Sequence, residues 1–462
     1  MVILQGGTDD MSIDVCVTDY GAKPDGSLQT GSIQRAIDDC FARGGGTVTV
    51  PSGEFLTGGL RLRSNITLKL QKGAVLKGTR DIKEYFGYRD DKIEPLDENT
   101  LTDVLWTPAN TPNRNTAFLT TAGSRWNNAL IRIINAENVA VIGEEGSLID
   151  GCDPYDENNE EYYRGPHGIN AHCVKGLTLK GYTIQNTGNW AHSVYYSSDI
   201  VVNGVAVIAG HDGVHFSSCD NITVTDCSFS TGDDCVAGFD NNDVIVRNCT
   251  MNSACSALRF GGNNVLVENC HMYGPAKHIF RGGLTTEEKR SGAKPDYNGD
   301  RKMLSVFTYY SDFSLKVRKA PGNIVIKNCK VENSLRFLHY NFSGNEPWQK
   351  NRPLTSIRFE DITARGISMP IHAYGSENEP LKLVLSNVEY TMNGGKSCNE
   401  FIKAANISEF TLENVTVNGF EGDTIIASWG NVDNVTLKNF NLSADPSAAV
   451  TDRTDKFECG AI

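Results

Sequence analysis

Residues 221–230, NITVTDCSFS, read as a turn residue, a strand of alternating apolar residues, a polar turn with a cysteine, and a second short strand. The same order returns as DVIVRNCTMN from Asp243, NVLVENCHMY from Asn264 and NIVIKNCKVE from Asn323. The first three copies begin 22 and 21 residues apart, and self-similarity at such a period is typical of a solenoid. Short β-branched strands with Asn and Gly turns and no helical pattern between them predict an all-β, right-handed, single-stranded parallel β-helix.

Weaker copies of the repeat run from residue 138 to residue 443, so we expect one β-helix domain over residues 1–462. The segment TGSIQRAIDDCFARGGG (30–46) predicts a short amphipathic helix that covers the open N-terminal end of the β-helix, with Ser32 as its N-cap. The apolar face of this helix is expected to consist of Ile33, Ala36, Ile37, Cys40 and Phe41. Two stretches break the repeat, at about 82–128 and 281–320. Because insertions in a solenoid emerge on one side, we expect both to form the walls of a cleft.

Composition narrows the class of protein. A net charge of −13, with no cluster of Lys and Arg, argues against partners such as nucleic acid or a membrane surface. The start, MVILQGGTDDMSIDV, lacks a basic segment followed by an apolar run, so a cytoplasmic location is expected unless a signal has been removed beforehand. The 13 cysteines show no spacing typical of a metal site, and we expect reduced thiols, no metal and no cofactor. The sequence leaves the oligomeric state open.

Equivalent residues of successive coils stack about 4.8 Å apart in a parallel β-helix. Counting back from Asp234 in GDDC by one coil reaches Asp212, and counting forward reaches Ser256. Further steps of about one coil predict a single column of polar side chains. This column is His172, His192, Asp212, Asp233 with Asp234, Ser256 and His278. Ionisable side chains stacked on one face make a poor core, so we expect them on the floor of a cleft.

Asp212, Asp233 and Asp234 are the candidate catalytic residues. Three carboxylates within one coil spacing repel one another, so at least one should hold a proton near neutral pH. Glycoside hydrolysis requires this pair of states: a carboxylic acid that protonates the leaving oxygen, and a carboxylate that activates water or attacks the sugar. The alternative is that Asp233 and Asp234 only cap backbone amides of a turn.

From the opening VTDYGAKPDGSLQTGSIQRAIDDC through NVAVIGEEGSLIDG to GDDCVAGF, residues 15–275 resemble the polygalacturonase-like enzymes of glycoside hydrolase family 28. That family shows the motifs NTDG, GDD, GHG and RIK in this order. Asp212 matches the aspartate of NTDG, and Asp233 and Asp234 match GDD. The resemblance implies a pectin lyase-type β-helix and an inverting hydrolase, and cleft walls built by both insertions would fit an exo-acting pocket. It also implies that Asp233 is the general acid, while Asp212 and Asp234 hold and deprotonate the water.

The remaining motifs depart from the family pattern. Gly210 and His211 replace Asn and Thr of NTDG, Ser256 stands at the histidine of GHG, and no RIK follows. In the family, the Arg and Lys of RIK hold the carboxylate of the sugar, so other residues must do so here or the sugar is not a uronate. The candidate substrate-binding residues are His192, His211, Ser256, Arg259, Lys277, His278 and Arg281.

The function expected from these observations is cleavage of a glycosidic bond in a pectic or related oligosaccharide or polysaccharide. Two alternatives stay open at this point. The first is a polysaccharide lyase or uronate epimerase on the same fold, in which the aspartates would bind calcium. The second is a carbohydrate-binding β-helix without catalytic activity, which the missing motifs allow.

Overall fold

A computed structural model describes residues 13–85, 125–293, 302–313, 315–344, 346–393, 399–443 and 448–453. Within these residues the α-helices are Thr30–Ala42 and Thr286–Ser291, and the rest is dominated by short strands. The strands are Asp14–Cys16, Gly46–Val50, Gly53–Thr57, Leu60–Leu62, Ile66–Leu70, Ala74–Gly78, Ala129–Gly143, Leu148–Asp150, His167–Lys180, Thr183–Gln185, His192–Tyr195, Ser198–Asn203, Ala206–Ala209, Val214–Ser217, Asp220–Thr225, Ser228–Thr231, Val236–Arg247, Thr250–Ser253, Ser256–Glu268, His271–Tyr273, Met303–Tyr309, Gly322–Glu332, Ser334–Asn341, Ser356–Ile367, Ile371–Tyr374, Leu381–Met392, Glu400–Ala405, Ile407–Asn418, Thr424–Ser428, Val435–Leu442 and Ala448–Asp452. No helix among these residues has the length and apolar character needed to cross a membrane.

Each coil contributes a stretch to three parallel sheets, as the coil from residue 198 to residue 217 illustrates. Ser198–Asn203 lies in sheet A and pairs with Asp220–Thr225 of the next coil. Ala206–Ala209 lies in sheet B and pairs with Ser228–Thr231. Val214–Ser217 lies in sheet C and pairs with Val236–Arg247. The predicted right-handed parallel β-helix is therefore confirmed.

The turn residue that opens each repeat has a structural reason to be Asn or Asp. Asn221, Asp243, Asn264 and Asn323 all have φ between 51° and 58°, a left-handed conformation that Asn and Asp tolerate better than most residues. Their side chains also bridge coils: the Asn264 amide donates to the Asp243 carboxylate at 2.6 Å, and the Asn323 amide donates to Asn264 at 3.2 Å. The periodic Asn of the sequence thus encodes both the bend and a link between coils.

The strands alternate between an inward apolar residue and an outward polar one, and the inward residues form one continuous core. The periodic cysteines belong to this core: Cys227, Cys249, Cys270 and Cys329 are all buried, and each acts as a small apolar side chain. Stacking identical side chains at one position of successive coils explains why the repeat is visible in the sequence.

The N-terminal helix forms where the amphipathic pattern predicts it, and it packs against Gly46–Val50 and Leu60–Leu62. Two details of the prediction are wrong. The helix starts at Thr30, so its N-cap is Gln29 and Ser32 lies inside the first turn. Phe41 is 40% exposed, and Gln34 takes the buried position by bonding to the backbone of Arg61. The predicted insertion at 82–128 lies almost wholly outside the described residues.

Candidate active site

The three aspartates lie in turns that connect sheet B to sheet C. Asp212 and Asp234 occupy equivalent positions in successive coils, two residues before Val214 and Val236, which pair with each other. Asp233 precedes Asp234 in the same turn. One carboxylate oxygen from each aspartate lies within 4.8 Å of the others. The structure therefore brings the candidate catalytic residues together, as the repeat spacing predicts.

The rest of the predicted column is partly wrong. His192 pairs with Val214, so the residue one coil before Asp212 is Trp190, and His167 lies one coil before Trp190. His172 pairs with Tyr195, further along sheet C. The physical reason is coil length: these coils take 22 and 23 residues, which moves both predicted histidines out of line.

On the other side of the trio the column holds for one step and then fails. Ser256 stands one coil after Asp234, because Leu258 pairs with Val236. The next residue in line is Ser305, since Ser256 pairs with it, and His278 lies in the segment that leaves the coil before Met303–Tyr309. The predicted insertion 281–320 therefore contains a strand of the β-helix at Met303–Tyr309.

Asp212 is 4% exposed and is held by several donors. The Nδ1 atom of His215 lies 2.9 Å from its Oδ2 atom. Burial and the charge of Asp233 raise the pKa of Asp212 well above its usual range, while Arg164, Arg259 and the backbone N–H of Asp234 act in the opposite direction. Asp212 is a buried carboxylate whose ionised form depends on these neighbours.

Asp234 is equally buried, and its carboxylate accepts the backbone N–H of Ser256 at 2.9 Å. Arg259 Nη1 lies 3.8 Å from its other oxygen. Burial, followed by the charges of Asp233 and Asp212, raises the pKa of Asp234 well above its usual range, and Arg259 and Ser256 oppose this shift. Asp234 thus caps an amide of the next coil and also belongs to the carboxylate trio.

Asp233 differs from its two neighbours because its side chain is only half-buried. Its backbone carbonyl accepts the hydroxyls of Thr231 and Ser253, each at 2.6 Å, so the turn is fixed without the carboxylate. Within the described part of the chain the carboxylate makes no hydrogen bond or ion pair to another side chain. The interpretation that Asp233 only caps a turn is therefore wrong.

A pocket of about 210 Å³ opens beside the trio on the C-terminal side. Arg259 contributes the positive charge: its guanidinium lies 4.4 Å above the Tyr310 ring and 5.5 Å from the Trp348 ring. Glu346 also lines the pocket, where burial raises its pKa and the charge of Arg259 opposes the shift. The lining residues are Asp233, Asp234, Cys255, Ser256, Arg259, Leu304, Thr308, Tyr309, Glu346, Trp348 and Gln349.

Ser256 and Arg259 are the predicted substrate-binding residues that line this pocket. His192 does not: it is fully buried, its ring nitrogens contact the Tyr182 hydroxyl and the Gly213 carbonyl, and burial lowers its pKa to about 4. A substrate cannot reach this ring, so its predicted role is wrong.

The other predicted binding residues lie on the far side of the trio from the pocket or serve the fold. His211 is fully buried and contacts Arg164 at 3.1 Å. Arg281 donates to the backbone carbonyls of Gly188, Asp153 and Pro154 and is 3% exposed, so it fastens a loop.

Lys277 is exposed and lies above the Tyr273 ring at 5.1 Å, while His278 is half-buried and contacts the Ile279 carbonyl. A role for His211, Lys277 or His278 in binding stays a prediction.

Sequence reasoning missed Glu346, Thr308 and His215 as parts of the site. His215 follows Asp212 by three residues, and this spacing in a strand was the available signal. Thr308 and Glu346 come from coils far along the chain, and no local motif marks them. For metal binding, Asp212, Asp233 and Asp234 are the group among the described residues whose oxygens are close enough together. The absence of a metal requirement stays a prediction.

Comparison with known proteins agrees with this geometry. The family model described as "Glycosyl hydrolases family 28" matches residues 40–257, a range that contains all three aspartates. Residues 40–257 of this chain are therefore similar to glycoside hydrolase family 28. It is 27% identical over 268 residues to a probable polygalacturonase of Vitis vinifera, covering 52% of this chain and 50% of that protein.

A second relative is an exo-poly-alpha-D-galacturonosidase of Dickeya chrysanthemi, 27% identical over 253 residues that cover 48% of this chain and 41% of the relative. The chain thus spans about half the length or less of the curated relatives it matches. A family 28 exopolygalacturonase of Yersinia enterocolitica has the same fold, with a TM-score of 0.60, 18% identity, and coverage of 94% of this chain and 79% of that chain.

Proposed function

We propose that the protein hydrolyses the glycosidic bond of a galacturonide, taken from pectic oligosaccharide or polysaccharide. The observation that carries the proposal is the position of the Asp212, Asp233 and Asp234 trio at the edge of a pocket that contains Arg259. A trio of carboxylates supplies an acid and a base, and the guanidinium supplies a partner for the carboxylate of a uronate. The curated relatives, which are named for action on polygalacturonate, support the same substrate class.

The acid and the bases are assigned by the hydrogen bonds to each carboxylate. Donors to the charged form favour ionisation. The Asp212 carboxylate contacts Nδ1 of His215 and accepts the backbone N–H of Asp234. The Asp234 carboxylate accepts the backbone N–H of Ser256. The side chain of Asp233 receives no such donor from the described residues and is only half-buried, so it is the member of the trio best placed to face the leaving oxygen of the sugar. We propose Asp233 as the general acid and Asp212 with Asp234 as the groups that hold and deprotonate water.

Arg259 is proposed to bind the carboxylate of the sugar in the pocket. The carboxylic acids that line the pocket are Asp233, Asp234 and Glu346, and Arg259 is the basic residue of the lining. A uronate entering such a site would be repelled unless a cation compensated its charge. Arg259 is placed to do so, because the Tyr310 ring holds its guanidinium at 4.4 Å and its side chain is 31% exposed.

Exo action is proposed from the wall beside this pocket. The 3-10 turn Pro347–Gln349 brings Trp348 and Gln349 into the lining of the pocket, and we propose that it limits the length of sugar chain that fits beyond the trio. A site closed on one side favours release of short products from a chain end. An exo enzyme should release one small product from the first minutes of reaction, whereas an endo enzyme should produce a mixture of lengths.

Inversion is proposed from the family resemblance. Carboxyl groups of inverting glycosidases generally lie about 6.5–9.5 Å apart, whereas the oxygens of this trio lie within 4.8 Å of one another. The short spacing follows from adjacent coils and requires the water to be held by Asp212 and Asp234 together, on the side opposite the leaving group. The stereochemistry of the first product is therefore an informative measurement.

The test is incubation of the purified protein with saturated oligogalacturonides and with neutral galacto-oligosaccharides, followed by mass detection and proton NMR of the first anomer. We expect hydrolysis of the oligogalacturonides, a single short product and the inverted anomer. A retained anomer would mean that one aspartate is a nucleophile. An unsaturated product would mean that the reaction is an elimination and not a hydrolysis. Cleavage of neutral oligosaccharides alone would overturn the assignment of a uronate substrate.

A further inference from the structure

His215 contacts the catalytic trio from a position that the family motifs do not mark. It lies on the strand Val214–Ser217 of sheet C, three residues after Asp212. Its Nδ1 atom is 2.9 Å from Asp212 Oδ2, and both residues are 4% exposed. A contact this short between buried groups is shielded from water and therefore stronger than the same contact at the surface.

Aromatic rings from neighbouring coils fix the orientation of the His215 imidazole. Trp190, one coil before Asp212, stacks on it with ring centroids 3.8 Å apart and only 4° between the planes. Tyr310 meets it edge-on at 6.0 Å, and Tyr195 lies 6.2 Å away. An imidazole enclosed in this way keeps its Nδ1 atom directed at Asp212.

The chemistry of this contact follows from the donors available. An ionised carboxylate only accepts hydrogen bonds, so in the state in which Asp212 acts as a base the proton between the two groups is carried by Nδ1 of His215. Donation to Oδ2 favours the ionised form of Asp212 and leaves its Oδ1 atom to accept from a water. The stacked face of Trp190 also suits an imidazolium, since the face of an aromatic ring attracts a nearby cation.

We propose that His215 is a positioning residue that holds Asp212 ionised and oriented as the base that activates water. This inference rests on the proposed function, because it deepens the role of one member of the trio. The position of GHG in the family resemblance is occupied here by Ser256, which bonds through its backbone N–H to Asp234. In this chain the histidine that contacts the trio therefore comes from the coil of Asp212 itself.

Several charged groups surround the pair and enter any dependence on pH. Asp233 and Asp234 face Asp212 from the next coil, and the charges of Arg164 and Arg259 also act on Asp212. His167 packs against the same Trp190 ring, and a charge on His215 lowers the pKa of His167. The variants described next therefore change one contact of His215 at a time.

The test compares His215→Phe, which keeps an aromatic ring but removes the donor, with His215→Asn, which keeps a donor near the position of Nδ1. For His215→Phe we expect kcat on oligogalacturonide to fall roughly 10- to 100-fold, the range for losing one hydrogen bond to a charged group, with KM near the wild-type value. The acid limb of the pH profile should move to higher pH, because Asp212 becomes harder to ionise. His215→Asn should retain more activity and the wild-type acid limb.

His172→Phe is the matched control, since His172 is also a fully buried histidine of sheet C and stacks on Tyr195, away from the trio. It should keep the wild-type kcat and acid limb. Trp190→Phe provides a second route if His215→Phe does not fold: it loosens the ring without removing the donor, and a smaller fall in kcat with unchanged KM is expected. An unchanged kcat and acid limb in His215→Phe would overturn the inference, as would equal losses in His215→Phe and His215→Asn with no movement of the acid limb.

Nitrogen-15 NMR of the imidazole tests the contact without turnover and so separates this inference from the proposed function. Nδ1 of His215 should be protonated in the wild-type protein, and Asp212→Asn should change its titration. If the wild-type protein cleaves no galacturonide, the proposed function fails while NMR still decides the contact. An unprotonated Nδ1 at neutral pH would overturn the inference in an active enzyme.

Discussion

Replacing Arg259 by glutamine tests whether the pocket recognises its sugar through a carboxylate. The guanidinium lies 4.4 Å above the Tyr310 ring and 3.8 Å from the Asp234 carboxylate, and 31% of the side chain is exposed. A hydrogen bond to a charged group contributes about 1.5–3 kcal/mol, and each 1.4 kcal/mol corresponds to about a tenfold change in binding. We therefore expect Arg259→Gln to raise KM for an oligogalacturonide by about 10- to 100-fold.

The assay compares an oligogalacturonide with the same oligosaccharide esterified with methyl groups, which has the same sugar but no charge. Arg259 also acts on Asp234, and that part of its effect changes both substrates equally. The ratio of the two KM values therefore isolates the contact with the carboxylate. Arg259→Lys should fall between the wild-type protein and Arg259→Gln, because lysine keeps the charge but lacks the planar pair of donors.

Arg358→Gln is the control, since Arg358 is exposed on sheet A and pairs with Glu360 at 2.9 Å, far from the pocket. It should leave both KM values unchanged. If Arg259→Gln impairs the acid and the ester to the same extent, then Arg259 acts only through Asp234, and the reasoning that assigns it to the substrate is wrong.

Three further predictions concern the trio. Asp233→Asn should abolish most hydrolysis of a natural galacturonide but spare much activity on a galacturonosyl fluoride, whose leaving group needs no proton. Asp212→Asn should lower the activity on both substrates by about 10²–10⁴-fold. Equal losses of activity on both substrates in Asp233→Asn would contradict the assignment. Asp234→Asn should stabilise the protein by about 1 kcal/mol at pH 7, measured by thermal unfolding. The reason is that burial raises the pKa of Asp234, so its ionised form destabilises the folded state at any pH above the pKa of the unfolded state. The gain in stability should vanish near pH 3, and a gain that persists there would have another cause. EDTA should leave activity intact, because Arg164 and Arg259 already oppose the charge of the trio; a loss restored by calcium would favour a metal-dependent reaction.

The fold was predictable because its determinants are local and repeated. A left-handed turn favours Asn or Asp, a strand with one buried face alternates apolar and polar residues, and both signals recur in every coil. Asn264 and Asn323, which open two of the repeats, are linked across coils by their own side chains. The spacing also located Asp212 and Asp234, because the coil between them has the regular length of 22 residues.

The rest of the site was not predictable from spacing, because coil length varies and side chains arrive from distant segments. The coils before Asp212 take 22 and 23 residues, whereas His172, His192 and Asp212 are spaced by 20, so Trp190 and His167 stand in the column instead of the two predicted histidines. A long segment separates Ser256 from Ser305, its partner in the next coil, and His278 lies in this segment and not in the predicted column. Glu346 and Trp348 reach the pocket from a turn that carries no repeat signal, so only tertiary packing brings them there.

The β-helix explains why one aspartate of the trio differs from the other two. Stacked coils bring equivalent carboxylates close together, which raises the cost of ionising all of them, and the same stacking places a backbone N–H of the next coil beside each carboxylate that is in line. Asp212 receives the N–H of Asp234, and Asp234 receives that of Ser256. Asp233 is one residue out of line, so it shares the repulsion without receiving an amide. The ladder that builds the solenoid thereby gives three identical side chains two different environments, and this difference is the basis of the proposed division into two bases and one acid.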